Sequence, residues 1–215
     1  MEKEMGQIKV SCYVVGSVET NFYYIYREGS AQTIVFDPGD LGDRLCDELE
    51  KQNLTVKAIF LTHAHFDHIL GLEAMKERTG APVYACVHEK SLCKSSNLNQ
   101  SVSFGRPCTA SVDHWLQDGE EVEFGGIRLR TIHTPGHTEG SCSYYIEEGH
   151  ILLSGDTLFE ASVGRSDFPT GDGEILLDSI RTRLYTLPDD TTVFPGHGNT
   201  TTIGYEKKHN WFVRE

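Results

Sequence analysis

Apolar residues along this chain gather in short strand-like runs, with longer stretches of helical spacing set between them. Residues 8–15, 21–27 and 33–36 are rich in β-branched and aromatic side chains and predict three strands. Asp37-Pro38-Gly39-Asp40 ends the third with residues suited to a turn. From Leu41 to Gln52, Leu41, Leu45 and Leu49 recur at helical spacing and predict an amphipathic helix. A strand over 56–61, a helix over 69–79 closed by Gly80-Ala81-Pro82, and a short strand over 83–85 follow. Residues 88–110 contain Ser and Asn, have weak periodicity, and predict a long surface loop with one helical turn. Strands are then expected at 112–116, 121–124, 127–131, 142–146 and 151–154, with glycine-containing turns among them. Ile175, Leu176, Ile180 and Leu184 predict a helix over 174–187 capped by Asp172. A last strand at 192–194 precedes a helical tail after Thr202.

These elements fall into two similar halves, each mostly β first and then α. That order suits two sheets packed face to face with helices outside. A chain of 215 residues can bury a large apolar interior, and one domain spanning 1–215 is expected. The formal charge of −13 argues against a nucleic-acid or anionic-membrane partner. Two divalent ions would change it only to −13 + 4 = −9. The charged segment 1–7 has no apolar core of an export signal, and no run is long enough to cross a bilayer. The six cysteines (Cys12, Cys46, Cys86, Cys93, Cys108, Cys142) form no Cys-x-x-Cys pair and read as reduced thiols, so a cytoplasmic location is expected.

The chemistry concentrates in Thr62-His63-Ala64-His65-Phe66-Asp67-His68, directly after the strand at 56–61. Imidazole and carboxylate are the usual ligands of zinc and other first-row divalent ions. His63 and His65, two apart in an extended segment, point to one side and can clasp one ion. Asp67 and His68 follow where the chain bends into a helix and can face a second. Three further strand ends offer ligand types beside glycine: His137 in Pro-Gly-His-Thr, Asp156 in Ser-Gly-Asp-Thr, and His197 in Pro-Gly-His-Gly. Each alone is weak evidence; together with Asp37 and the cluster they suggest convergence on one edge of a sheet stack. Spacing alone does not choose between His133 and His137. His88, His114, His150 and His209 have no ligand context, and Tyr144 and Tyr145 read as sheet residues.

The order His-x-His-x-Asp-His, Pro-Gly-His-Thr, Ser-Gly-Asp-Thr-Leu-Phe, Pro-Gly-His-Gly resembles the metallo-β-lactamase superfamily. Within it the chain is most similar to glyoxalase II-like hydrolases, in a short bacterial form lacking the C-terminal helical domain. The likeness runs from about residue 10 through the tail at 202–210. It implies an α/β fold, an αββα sandwich of two mixed β-sheets flanked by helices, with the metal centre at one edge. By the same resemblance His63, His65 and His137 hold one ion, Asp67, His68 and His197 hold a second, and Asp156 bridges them. Zinc is the first expectation, with iron or manganese as alternatives. Such a pair can hold a hydroxide at neutral pH, where the pKa of bound water falls from ~15.7 to about 7. It would attack a small thioester of the S-lactoylglutathione type, with Asp67 orienting it. Asp37 and His133 are expected behind the ligand imidazoles. Arg165 falls where glyoxalase II meets glutathione, and its planar fork suits a carboxylate. The alternatives are a mononuclear iron persulfide dioxygenase and a hydrolase of another ester or thioester. Whatever selects the substrate is expected around Arg165 and within 88–110.

Overall fold

The structure is a computed structural model and describes residues 6–213; residues 1–5, most of the charged segment considered for an export signal, and residues 214–215 lie outside them. In the first half, β1 (Ile8–Val15), β2 (Thr20–Arg27), β3 (Gln32–Phe36), β4 (Thr55–Phe60), β5 (Val83–Cys86) and β6 (His114–Leu116) form a six-stranded sheet in chain order. β1 to β3 pair antiparallel and β3 to β6 parallel, so the sheet is mixed. Parallel neighbours need long crossovers. These carry α1 (Gly42–Lys51), then α2 (Phe66–Ile69) with α3 (Leu72–Thr79), then α4 (Lys90–Lys94).

The second half comprises β7 (Glu121–Phe124), β8 (Ile127–His133), β9 (Cys142–Ile146), β10 (Ile151–Gly155), a small ribbon of β11 (Leu158–Phe159) and β12 (Ser162–Val163), α5 (Gly173–Ser179), β13 (Thr192–Pro195), β14 (Thr201–Thr202) and α6 (Ile203–His209). Its six-stranded sheet runs β14-β13-β10-β9-β8-β7, and β10–β13 is its parallel pair.

Three apolar seams join the four layers. Between the sheets, Phe36 and Phe60 meet Tyr144, with Ile25, Leu129 and Leu153 around them. Leu45, Leu49, Leu72 and Met75 of α1 and α3 cover the outer face of the first sheet. Leu176, Ile180 and Leu184, with Ile203 of α6, cover the second. β9 and β10 are therefore buried along their whole length, with Ser143 and Ser154 as their polar members, whereas β8 alternates Ile127 and Leu129 inward with Arg128 and Arg130 outward. Burying a ring such as Phe60 stabilises by about 1.5–3 kcal/mol. Its ring contacts with Phe36, Tyr84 and Tyr144, at centroid distances of 5.1–5.3 Å, add about 0.5–1.5 kcal/mol each, so ring geometry and area burial contribute on a similar scale here.

Several expected elements differ in detail. Leu41 does not join the apolar face of α1: it sits before the helix at φ 54° and is exposed. The helix expected over 69–79 is two, α2 and α3, broken at Leu70 and Gly71. There the chain presses against the Asp37–Asp40 turn: Gly71 N–H donates to Pro38 O (2.8 Å), and a Cβ at Gly71 would lie 2.8 Å from Asp40 O. The supposed loop at 88–110 opens with a 3-10 turn (Val87–Glu89) and α4, more helix than one turn. The strand expected over 112–116 is confined to 114–116. The 174–187 helix becomes α5 plus a π-helical turn over Ile180–Leu184. Asp172 caps it as expected, accepting from the N–H groups of Glu174 and Ile175.

Candidate metal centre

The residues of the His-rich stretch leave β4 and enter α2, while Asp156 and His197 leave the neighbouring parallel strands β10 and β13. All three strands end at one edge, outside their carboxyl ends, where open α/β sheets place ligands. That edge is stitched by main-chain bonds from Cys142 N–H to Thr62 O (2.9 Å), Asn21 N–H to Gly196 O (2.7 Å) and Gly196 N–H to Gly155 O (2.9 Å). Gly196 has to be glycine here, since a Cβ would stand 2.1 Å from Asp156 Oδ1.

The structure brings seven of the predicted side chains together. His137 Nε2 lies 3.1 Å from His63 Nε2 and 2.8 Å from His65 Nδ1. Beside this trio, Asp67 Oδ2 lies 3.2 Å from His197 Nε2 and 3.5 Å from His68 Nε2. Asp156 stands between the sets: Oδ2 is 3.6 Å from His137 Nε2 and 3.5 Å from His197 Nε2, and Oδ1 is 3.5 Å from His68 Nε2. His63-His65-His137, His63-His68-Asp156 and Asp67-His68-His197 each gather their ligand atoms within 4.8 Å, close enough to hold an ion.

The chemistry of the donors fits a metal. Thr62 Oγ1 donates to Asp37 Oδ2 (2.6 Å), so it accepts from His63 Nδ1 (3.2 Å). His137 Nδ1 donates to the main-chain carbonyl of Arg165 (2.6 Å). Both rings therefore turn an Nε2 lone pair toward the same point, an arrangement that needs a cation to be stable. Nitrogen ligands at ~2.0–2.1 Å around a tetrahedral ion stand about 3.3 Å apart, close to the separations seen. His65 Nε2, His68 Nε2 and Asp156 Oδ1 are buried with no hydrogen-bond partner.

Electrostatics divide the two sets. Burial, reinforced by neighbouring imidazoles, pushes His63 down and takes His65 to about 3; burial also lowers His137. Burial opposes a proton on His68 and His197 too, yet Asp67 and Asp156, with Asp37 on His68, outweigh it and lift them to about 9 and about 11. Burial works to raise Asp67, but His68 and His197 hold it at about 2; the same rings and His137 keep Asp156 below the ordinary carboxylate range.

The remaining predicted residues fall at different distances from this chemistry. Asp37 lies behind His68, with Oδ2 3.0 Å from Nδ1, and its Oδ1 accepts from Thr62 N–H (2.7 Å). It adopts φ 51°, a conformation costing about 1–2 kcal/mol for a non-glycine residue, which its three polar contacts offset. His133 does not stand behind a ligand ring: its Nε2 bonds Glu139 O (3.0 Å) and its ring stacks on His88. The acceptor behind His137 is the carbonyl of Arg165 instead. Arg165 lines the cleft over the centre, but its guanidinium is held by Asp167 (2.7 and 2.8 Å).

Sequence reading missed Glu89, a fully buried carboxylate. Its Oε1 accepts from Ala64 N–H (2.8 Å), between His63 and His65, and its Oε2 from Thr138 Oγ1 (2.9 Å), next to His137. It also missed Thr20, whose Oγ1 donates to Asp67 Oδ2 (2.9 Å), and Asn21, whose Nδ2 donates to Pro195 O and Gly198 O around His197. Only Glu89 carried any signal, an acid beside a histidine where a helix begins.

The model of the metallo-beta-lactamase superfamily matches residues 15–197. Among curated proteins, the Probable metallo-hydrolase YqgX of Bacillus subtilis is 39% identical, covering 93% of this chain and 94% of its own. The Hydroxyacylglutathione hydrolase GloC of Haemophilus influenzae is 36% identical over 83% and 86%. Among solved structures, the BLEG-1 B3 metallo-beta-lactamase superposes with TM-score 0.91 at 38% identity, over 96% of this chain and all of that one. TTHA1623 in a di-iron-bound form gives 0.83 at 33%, over 94% and 99%. ETHE1 from Myxococcus xanthus gives 0.78 at 32%, over 94% and 83%.

Proposed function

The chain belongs to the metallo-beta-lactamase superfamily, and on that premise we propose that residues 1–215 form one domain, a two-metal hydrolase that cleaves small thioesters. The observation that carries this reading is Asp156, whose two oxygens face both ligand sets at 3.5–3.6 Å. His63, His65 and His137 would hold one divalent ion, Asp67, His68 and His197 a second, with Asp156 shared. Zinc is the first choice, with iron or manganese as alternatives; TTHA1623, 33% identical, has been solved in a di-iron-bound form. When bound, such ions polarise a carbonyl oxygen and make a nucleophile available at neutral pH. The thioester bond is the choice because GloC, 36% identical, is named a hydroxyacylglutathione hydrolase.

The chain's own groups keep this site in order. Thr62 and the Arg165 carbonyl fix which nitrogen of His63 and His137 carries the proton. Asp37 stands 3.0 Å from His68 Nδ1, a carboxylate charge beside that ring, and Thr20 orients Asp67. Asp67 and Asp156 are the carboxylates that meet the reacting atoms, and Phe159 and Phe168 stand edge-on to His197 and His65 as apolar walls beside them. The ligand is a small molecule; the acidic chain does not suit nucleic acid, and no described helix is long and apolar enough to cross a membrane. The cytoplasm is the proposed compartment, on the six unpaired cysteines.

The test is metal quantification on the purified protein, paired with a thioester panel that includes thiols other than glutathione and one β-lactam. Two metal equivalents with thioester cleavage are expected. The second reading, a mononuclear iron persulfide dioxygenase, is favoured by the likeness to ETHE1. One iron, with oxygen uptake on glutathione persulfide and no thioester cleavage, would overturn the first.

A further inference from the structure

We infer that the thioester taken by this site is uncharged and carries one bulky apolar group, and that glutathione, with its two carboxylates, is a poor thiol for it. This rests on the thioester-hydrolase reading above. The cleft over the metal centre measures about 270 Å³, at or below the small end of ligand pockets (~300–1,000 Å³). Its walls beyond the ligand residues are Val18, Phe66, Phe104, Phe159, Phe168 and Arg165. Phe168 stands edge-on to His65 (5.5 Å, 81°) and Phe159 edge-on to His197 (6.2 Å, 85°), so an aromatic ring flanks each end of the ligand array. Phe104 stacks on Phe66 at 4.0 Å, and with Val18 it leaves large apolar surface at the mouth, 48% and 37% exposed.

The cations nearby are already matched. Arg165 is the one charged wall residue outside the ligand set, and Asp167 occupies its fork bidentately while its Cζ rests 3.6 Å from the Phe168 ring centre. Arg106, in the adjoining hollow, is likewise held by Asp40 (2.6 and 3.1 Å). A substrate carboxylate would have to displace one of these partners or lie unpaired against phenyl rings, which is costly. The chain's charge of −13 repels anions before contact. An apolar group meets none of these penalties and covers Phe104 and Val18.

The experiment compares S-lactoylglutathione with the lactoyl thioester of benzyl mercaptan on the metal-loaded enzyme, and then moves the phenyl group to the acyl side of an ethanethiol ester. In parallel, calorimetry follows binding of two uncleavable thioethers, S-methylglutathione and benzyl methyl sulfide. We expect kcat/KM at least tenfold higher for one of the phenyl-bearing esters, whichever side the phenyl occupies identifying the group the cleft holds, and tighter binding of the benzyl thioether. Phe104→Ala should shrink that ratio tenfold or more, mostly through KM, while Phe104→Leu should restore most of it. Asp167→Ala, which frees the Arg165 fork, should shrink it from the other side by improving the glutathione ester several-fold. S-lactoylglutathione matching or beating both phenyl esters would overturn the inference and leave the thioesterase reading intact. No cleavage of any thioester would overturn that reading, and equal or weaker binding of the benzyl thioether would then overturn the inference as well.

Discussion

The two ligand sets sit side by side but are built on opposite electrostatics. His63, His65 and His137 are three neutral rings, deeply buried, with their proton affinity pushed down by burial and, for His63 and His65, by neighbouring imidazoles as well. Asp67, His68 and His197 pair imidazoles with carboxylates, and the rings bind protons more tightly than usual. The second set can therefore balance its own charge with protons in the place of an ion. The first set has no carboxylate among its own members, and at least two of its lone pairs converge on one point. The buried carboxylates behind the sets divide unevenly: Glu89 ties the loops of the first set through Ala64 and Thr138, whereas Asp37 faces His68 of the second and, through the Thr62 hydroxyl, also reaches His63 of the first. A site made this way should fill unequally, the first set holding its ion on neutral donors while the second exchanges protons for metal.

The largest effect is expected where the sets meet. Asp156→Ala should lower kcat by about 10³-fold or more and reduce bound metal from two equivalents, as measured by elemental analysis beside a thioester assay. Full metal content with activity intact would break the idea of a shared carboxylate. A smaller and more telling contrast lies between His137→Ala and His197→Ala. Both should lose activity, by roughly 10²–10³-fold, but His197→Ala should keep one tightly held equivalent and His137→Ala should not. Equal retention in a chelator competition would erase the distinction between the sets. Behind them, Asp37→Ala should weaken metal binding about 10–100-fold, the usual consequence of removing a carboxylate behind the ligands, and at both sets, because Asp37 faces His68 and holds the Thr62 hydroxyl that meets His63.

How much of this was legible in the sequence depends on whether a feature had a local cause. β9 and β10 were visible because the runs Tyr144–Ile146 and Ile151–Leu153 flank a turn at Glu148-Gly149, and Asp172 was visible as a cap because the capping bonds span two and three residues. The break between α2 and α3 was not, since its cause is the carbonyl of Pro38, some thirty residues away in the chain. β11, β12 and β14 are two residues each, too short for any periodicity. The seven side chains that converge were recoverable because each ends a strand or follows one in a recognisable order. Their supports were less so. His133 was a candidate by spacing to His137, yet its ring goes to Glu139 O and His88. Arg165 was valued for its guanidinium, whereas the contact it makes with the candidate ligands is through its carbonyl. Glu89 had no local partner at all, since it acts on Ala64, 25 residues earlier, and Thr138, 49 later.

That carboxylate offers the subtlest way to sharpen the comparison, because it has no cation beside it. Burial drives Glu89 up, the bonds from Ala64, Thr138 and Gly140 only partly offset this, and its pKa settles at about 7 against an ordinary 4.5. An acid whose folded pKa is raised binds its proton in the native state where the unfolded chain has released it. Stability attributable to Glu89 is thus fully present below about pH 4.5, falls as pH rises toward 7, and levels off above, a total of roughly 3 kcal/mol. Glu89→Gln removes the titration while its amide oxygen can still accept from Ala64 N–H. The variant should therefore gain on the wild type in melting temperature between pH 5 and pH 7, with the difference flat above. Because its links reach the loops of His63, His65 and His137 only, metal affinity should change several-fold at the first set and little at the second. A melting difference independent of pH would mean that Glu89 is ionised throughout, and an equal change at both sets would mean that it supports the whole edge rather than one ion's cradle.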